Sequence, residues 1–292
     1  MTIKRRWALL LVLLLLGGVL AGAQVFFTHQ AEQRVAAALE RLPAGVEARY
    51  ENLETGLFGR SLRIHDLVLS HYGEPALHVD EIHVMDYDRS SQPPHHMRLK
   101  VSGVEQNLRA LPQAEAKTLE RLGYTTWRGG YVIDYDYDPD TRILELHEFS
   151  GELEGIATLR VALDLHDFDL AQATRVDAPR LPEFRVARAQ AVFRDYSFAA
   201  RLIEQGAREA GIGEERYRAL LDAEIAARVD AWNTPFARQL GSVLRQHLQE
   251  PGTVVIRLEP ERPVSVYEVI TAAIIDPAGL PARLGMTVEG GE

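Results

Sequence analysis

The 292-residue chain contains no cysteine. Disulfide crosslinks, thiolate metal sites and cysteine nucleophiles are therefore excluded, and the fold must be held by burial alone. A glycine-rich phosphate loop and a Gly-x-Ser-x-Gly nucleophile elbow are also missing. There is no low-complexity tract, and 46% hydrophobic with 25% charged residues is the balance of a chain that folds. Positive charge is in short supply: 32 Lys and Arg stand against 42 Asp and Glu, a formal net charge of −10. Setting aside Lys4, Arg5 and Arg6 leaves −13 for everything that follows them. A surface of that sign disfavours nucleic acid and anionic headgroups as partners.

What is present begins at the N-terminus. Lys4, Arg5 and Arg6 precede an unbroken apolar run from Trp7 to Ala23, which resumes after Gln24 at Val25, Phe26 and Phe27. As a helix this stretch would be about 31 Å long, against a bilayer core of about 30 Å. The sequence predicts a transmembrane anchor over residues 1–27, its basic flank in the cytoplasm and the body exported. Ala21-Gly22-Ala23 has the small-x-small form of a cleavage site, so a removed signal peptide is the alternative; both readings export the body.

A short helix is expected over 28–44, with Val35, Leu39 and Leu42 as its stripe and Pro43 as its stop. From 45 to about 198 the pattern is that of strands. Leu159, Val161, Leu163 and Leu165 alternate with Arg160, Ala162, Asp164 and His166, which is one buried and one wet face. A pattern of two apolar pairs, each alternating and separated by two other residues, recurs: Leu62, Ile64, Leu67, Leu69; then Leu77, Val79, Ile82, Val84. If the inserted pairs His65-Asp66, Asp80-Glu81 and Ser102-Gly103 form β-bulges, every apolar residue stays on one face of a curved sheet whose concave side is apolar. If they do not, each copy crosses between the two faces of a sandwich.

Beyond 198 the period becomes helical. Phe198–Ala210 reads as one helix. A longer one follows over 214–249, its stripe running from Tyr217 through Leu221, Ile225, Val229, Trp232, Phe236, Leu240 and Leu244 to Leu248. Pro235 should kink or split it at Asn233-Thr234. Ser265 with Glu268 predicts a capping box. Thr253–Leu258 and 284–288 are expected as two short strands. Trp127 and Trp232 are expected in the core, and replacing Trp232 or Leu240 with Ala should cost about 2–5 kcal/mol if they are core residues. The expected fold class is α+β: the N-terminal transmembrane helix, a long-stranded curved antiparallel sheet in a domain over 28–198, and a helical region over 199–292 packed on it.

Catalytic and metal-binding patterns are weak. His147-Glu148 begins like a zinc-protease helix, but Gly151 occupies the place of the second histidine and the neighbours alternate as a strand. Asp136, Asp138 and Asp140 begin like a calcium loop, but Thr141 replaces the glycine of the turn and His147 the bidentate glutamate. These three aspartates read as an acidic strand face entering a turn at Pro139. Six of the ten histidines fall between His65 and His96. His78 and His83 would point to opposite faces of a regular strand, and His95-His96 follow Pro93-Pro94 in a loop. No cofactor, metal or catalytic residue is expected.

Glu47-Ala48-Arg49-Tyr50 leading to Leu57-Phe58-Gly59-Arg60-Ser61-Leu62-Arg63-Ile64-His65-Asp66-Leu67-Val68-Leu69, behind a single N-terminal apolar segment and a short helix, resembles the AsmA-like and YdgA-like periplasmic proteins of Gram-negative bacteria. The resemblance covers residues 1–88. The chain is shorter than most AsmA-like proteins, and its helical C-terminal part departs from their pattern. The resemblance implies an inner-membrane protein with a periplasmic body that binds lipid in a curved β groove or supports envelope assembly, and it brings no catalytic residues. Phospholipid, the inner membrane and other envelope proteins are the implied partners. The residues expected to line the groove are Leu62, Ile64, Leu67, Leu69, Leu77, Val79, Ile82, Val84, Leu159, Val161, Leu163 and Leu165. The alternatives are a structural or protein-interaction module with a closed core, and a hydrolase.

Overall fold

A computed structural model describes residues 45–56, 61–107, 119–124, 126–173 and 183–291, with isolated positions at 29, 31–33, 35 and 117. Its strands are β1 (Val46–Arg49), β2 (Asn52–Thr55), β3 (Leu62–His71), β4 (Glu74–Tyr87), β5 (His96–Asn107) and β6 (Thr126–Asp138), followed by β7 (Ile143–Leu153), β8 (Ala157–His166), β9 (Arg185–Asp195), β10 (Thr253–Leu258), β11 (Val264–Ser265) and β12 (Met286–Gly291). The helices are α1 (Leu170–Ala173), α2 (Phe198–Ala210), α3 (Glu214–Trp232), α4 (Pro235–Gln249), α5 (Val266–Ile275) and α6 (Leu280–Arg283).

All twelve strands form one sheet in the order β1-β3-β4-β5-β6-β7-β8-β9-β10-β12, with β2 also on β3 and β11 also on β9. Every pairing is antiparallel. This corrects the expected architecture. The sheet does not end near residue 198. Strand β10 hydrogen-bonds along β9 from Arg194 back to Ala189, and β12 continues outward from β10. The free edge of β9 would otherwise carry a row of unpaired amides and carbonyls, so the chain returns after three helices to satisfy it. The transmembrane helix also drops out of the described fold. No helix among the described residues is long and apolar enough to cross a membrane, and the run from Trp7 to Phe27 lies outside them. Of the helix expected over 28–44, positions 29, 31–33 and 35 are helical.

Residues directly opposite in an antiparallel pair share a face, so the register sorts the side chains. One row runs Leu62, Val84, Leu99, Ile133, Phe149, Val161, Ala191, Ile256, Val288 across nine strands. Beside it run Ile64, Ile82, Val101, Tyr131, Gly151, Leu159, Phe193 and Val254. The intervening rows face the other way and are mostly polar, with Val132, Val192 and Val255 among them. The register shifts between Val101 and Val104, where Ser102-Gly103 stand against Gly130, and Gly103 takes the left-handed φ of 63°. Asp66 has φ 51°, and the pairing of β3 with β4 passes over Asp66 and Asp80 without changing register.

The apolar face is covered only in places by the described residues. At the C-terminal edge Val288 is fully buried, and Ala237, Gly241 and Val243 are the buried residues of α4, which packs on β12. At one strand end Leu122, Tyr124 and Ile156 make a small core with Leu153, Ala157 and Phe198. At the other end Phe168 stands edge-on to Tyr137, and Phe184 lies 5.9 Å from Phe168. Asp195, fully buried, ties the helices to the sheet: its carboxylate accepts from the Phe198 and Ala199 amides at 2.7 and 2.9 Å and lies 3.1 Å from His247 Nε2 on α4.

The long C-terminal helix splits where Pro235 stands. Asn233 closes α3 in the left-handed region at φ 46°, and Thr234 caps α4 by accepting from the Ala237 amide. Trp232 is a correction: it lies 48% exposed at the end of α3 and is no core anchor. A side chain so exposed has little burial to lose, so a cost of about 2–5 kcal/mol does not apply to Trp232. Leu240 is half-buried.

Candidate functional site

All twelve residues expected to line a groove lie on the one apolar face, as the cross-strand rows require. Val79 and Leu165 are buried; the other ten are half-buried or exposed. At the centre of the sheet, where a covering layer would hide them best, Phe149 is 37% and Leu159 40% exposed. From β3 to β8 this face spans about 24 Å across and about 33 Å along the strands. Tyr131 and Tyr135 add aromatic bulk, and burial pushes both hydroxyls up from their ordinary pKa. Tyr135 meets its polar requirement by donating to the Pro94 carbonyl at 2.9 Å. The face can take flat apolar surface and offers no charge to it.

The central cleft among the described residues, about 550 Å3, opens on the polar face. Gly130 lies at its floor with no side chain on this face, and the backbones of Gly129 and Gly151 adjoin it. A Cβ on Gly130 would come 2.7 Å from the Val101 carbonyl oxygen, and one on Gly129 would lie on that of Glu152. Around this floor stand Lys100, Ser102, Ser150, Thr158, Arg160 and Arg194. Only the register brings these six side chains together.

The residues weighed for metal chemistry have other partners. His147 pairs with Asp136 at 2.8 Å on the polar face, and that hydrogen bond raises its pKa. Asp138 accepts from the Asp140 and Thr141 amides, the geometry of a turn, with its pKa lowered first by the Thr141 side chain. His78 lies 3.5 Å from both Asp66 and Asp80, and His65 3.9 Å from Glu54 and Glu81. His95 stacks edge-on to Tyr137. Among the described residues no three His, Asp or Glu side chains are placed to hold a metal ion.

The profile of a family described only as "Uncharacterized protein" matches residues 149–290. That range takes in the last five residues of β7, all of β8 to β11 with the six helices among the described residues, and β12 as far as Gly290, and lies apart from the segment 1–88 that carries the AsmA-like resemblance. No curated protein matches the chain.

Proposed function

We propose that this is a non-enzymatic protein of the cell envelope whose apolar sheet face receives lipid acyl chains. The observation that carries the reading is the exposure of Phe149 and Leu159 at the centre of an apolar face six strands wide. An apolar patch of more than several hundred Å2 is rarely left open without a function. An acyl chain fits it because each buried CH2 contributes about 0.8 kcal/mol and asks for no polar partner. The test is native mass spectrometry of the full chain purified in mild detergent. A phospholipid retained by the wild type and absent from a Val161→Glu variant that still folds is the expected result. A lipid-free wild type, with Val161→Glu simply unfolding, would make the face a core and end the reading.

In this reading the basic residues Lys4, Arg5 and Arg6 and the apolar stretch to Phe27 direct the chain to the inner membrane, with the body in the periplasm. A reporter active only in the periplasm, fused after Gln30, is expected to be active, and the body to stay with membranes through a carbonate wash. An inactive reporter would overturn export; release by the wash would favour a cleaved signal peptide.

A second reading, a protein-docking module, is favoured by α5. Tyr267, Ile274 and Ile275 are 70 to 77% exposed there, an apolar helical surface suited to another protein's groove. Loss of a specific partner from a Tyr267→Glu, Ile274→Glu variant with lipid retention unchanged would support it.

A further inference from the structure

We infer that the polar face holds a second site, for a small phosphate-bearing ligand: its phosphate lies over Arg63, His83 and Lys100 and its body lies in the central cleft. These three side chains come from adjacent strands β3, β4 and β5 and stand directly opposite one another in the ladder, Arg63 against His83 and His83 against Lys100. Neighbouring strands are about 4.8 Å apart, so the row spans about 10 Å and its long side chains can converge on one anion. Arg63 and Lys100 stand on the two strands that flank His83, although the protein as a whole is short of positive charge. Neither Arg63 nor Lys100 forms an ion pair among the described residues, whereas most arginines of this face do: Arg98 with Asp134, Arg128 with Asp80 and Glu105, Arg160 with Glu148, Arg188 with Asp164. The surroundings of His83 agree. Its pKa is lowered first by burial and then by Arg63, with Lys100 adding to the effect and Glu81 opposing it.

The cleft starts at Lys100 and supplies what the rest of such a ligand needs. Ser102, Ser150 and Thr158 offer hydroxyls, Arg160 and Arg194 further donors, Glu152 and Glu154 carboxylate acceptors, and Val132 and Val192 apolar contacts. A volume of about 550 Å3 is in the range of small-molecule sites. Hydroxyls with a carboxylate match a polyol or sugar body, and the cationic row matches its phosphate. The negative charge of the surrounding body argues for a small soluble ligand over a phosphate-rich membrane surface, which would bring many phosphates against the acidic remainder.

The site is on the face opposite the proposed acyl surface, so it stands or falls separately. The experiment is thermal unfolding of the full chain in nonionic detergent, with glucose 6-phosphate against chloride at matched ionic strength. Glucose 6-phosphate is expected to raise the midpoint of the wild type by a few degrees. Arg63→Gln and Lys100→Gln are each expected to weaken its binding tenfold or more. In chloride alone each variant should be as stable as the wild type, because neither side chain has an ion pair among the described residues to lose. NMR titration should show the His83 pKa rising when the ligand binds to the wild type. Micelles doped with phosphatidylglycerol should give no stabilisation that depends on Lys100; if they do and glucose 6-phosphate does not, the ligand is a lipid headgroup and the soluble-ligand inference fails. An equal response of wild type and both variants, or their destabilisation in chloride, would show the row to be structural and overturn the site.

Discussion

Replacing Asp195 with Ala is expected to destabilise the protein by about 3–5 kcal/mol, the range for removing one partner from a buried charged network. The carboxylate has no exposure to solvent and serves three donors from two helices. Truncation strands the first amides of α2 without a cap and leaves His247 facing an apolar surface beside Phe193, whose ring lies 6.3 Å away. Asp195→Asn keeps one acceptor oxygen and should recover part of the loss. Urea denaturation followed by circular dichroism measures both. A loss under about 1 kcal/mol for Asp195→Ala would mean that water or a neighbouring group replaces the carboxylate and that α2 and α4 are not held through it.

Gly129→Ala is expected to cost about 3 kcal/mol, at the upper end for overpacking. The added methyl would fall on the carbonyl oxygen of Glu152, a backbone atom that cannot turn aside as a side chain can. Strands β6 and β7 would have to part locally, and Gly129 is already buried between them. The same variant should distort the cleft floor, so Gly155→Ala is the useful control: Gly155 has φ 69° but nothing within 4 Å of an added Cβ. Gly155→Ala should cost only the strain of its backbone, on the order of 1 kcal/mol. Equal costs for the two would show that steric approach plays no part at Gly129.

How far the sequence reveals this molecule depends on the range over which its signals act. Leu159, Val161, Leu163 and Leu165 announce their strand because a period of two is local, and Pro235 marks the helix break because proline acts on its own turn. The apolar face was legible for the same reason, once the interruptions at Asp66 and Ser102-Gly103 were read as features that keep the facing constant. The continuation of the sheet through β10 and β12 was not legible. Thr253–Leu258 shows itself as a strand, but nothing in it says that its neighbour is β9 and not a separate layer. The basic row was hidden for a related reason: Arg63, His83 and Lys100 are ordinary isolated side chains until two hairpins set them side by side. Trp232 misled because a helical stripe does not state where its partner ends.

The order of the strands bears on how the chain reaches this state. From β3 to β9 each strand pairs with the next in sequence, so hairpins can zip one after another with little loop entropy lost at each step. The pairing of β10 with β9 breaks that series, because α2, α3 and α4 intervene between Asp195 and Thr253. Closing that segment is the largest search in the ordered sheet, and it shelters Val288 and brings His247 to Asp195. Folding is thus divided between a rapid local progression and one late, long-range closure. During that interval β9 presents an open edge to any other chain, in addition to the edges that β1 and β12 keep in the finished sheet.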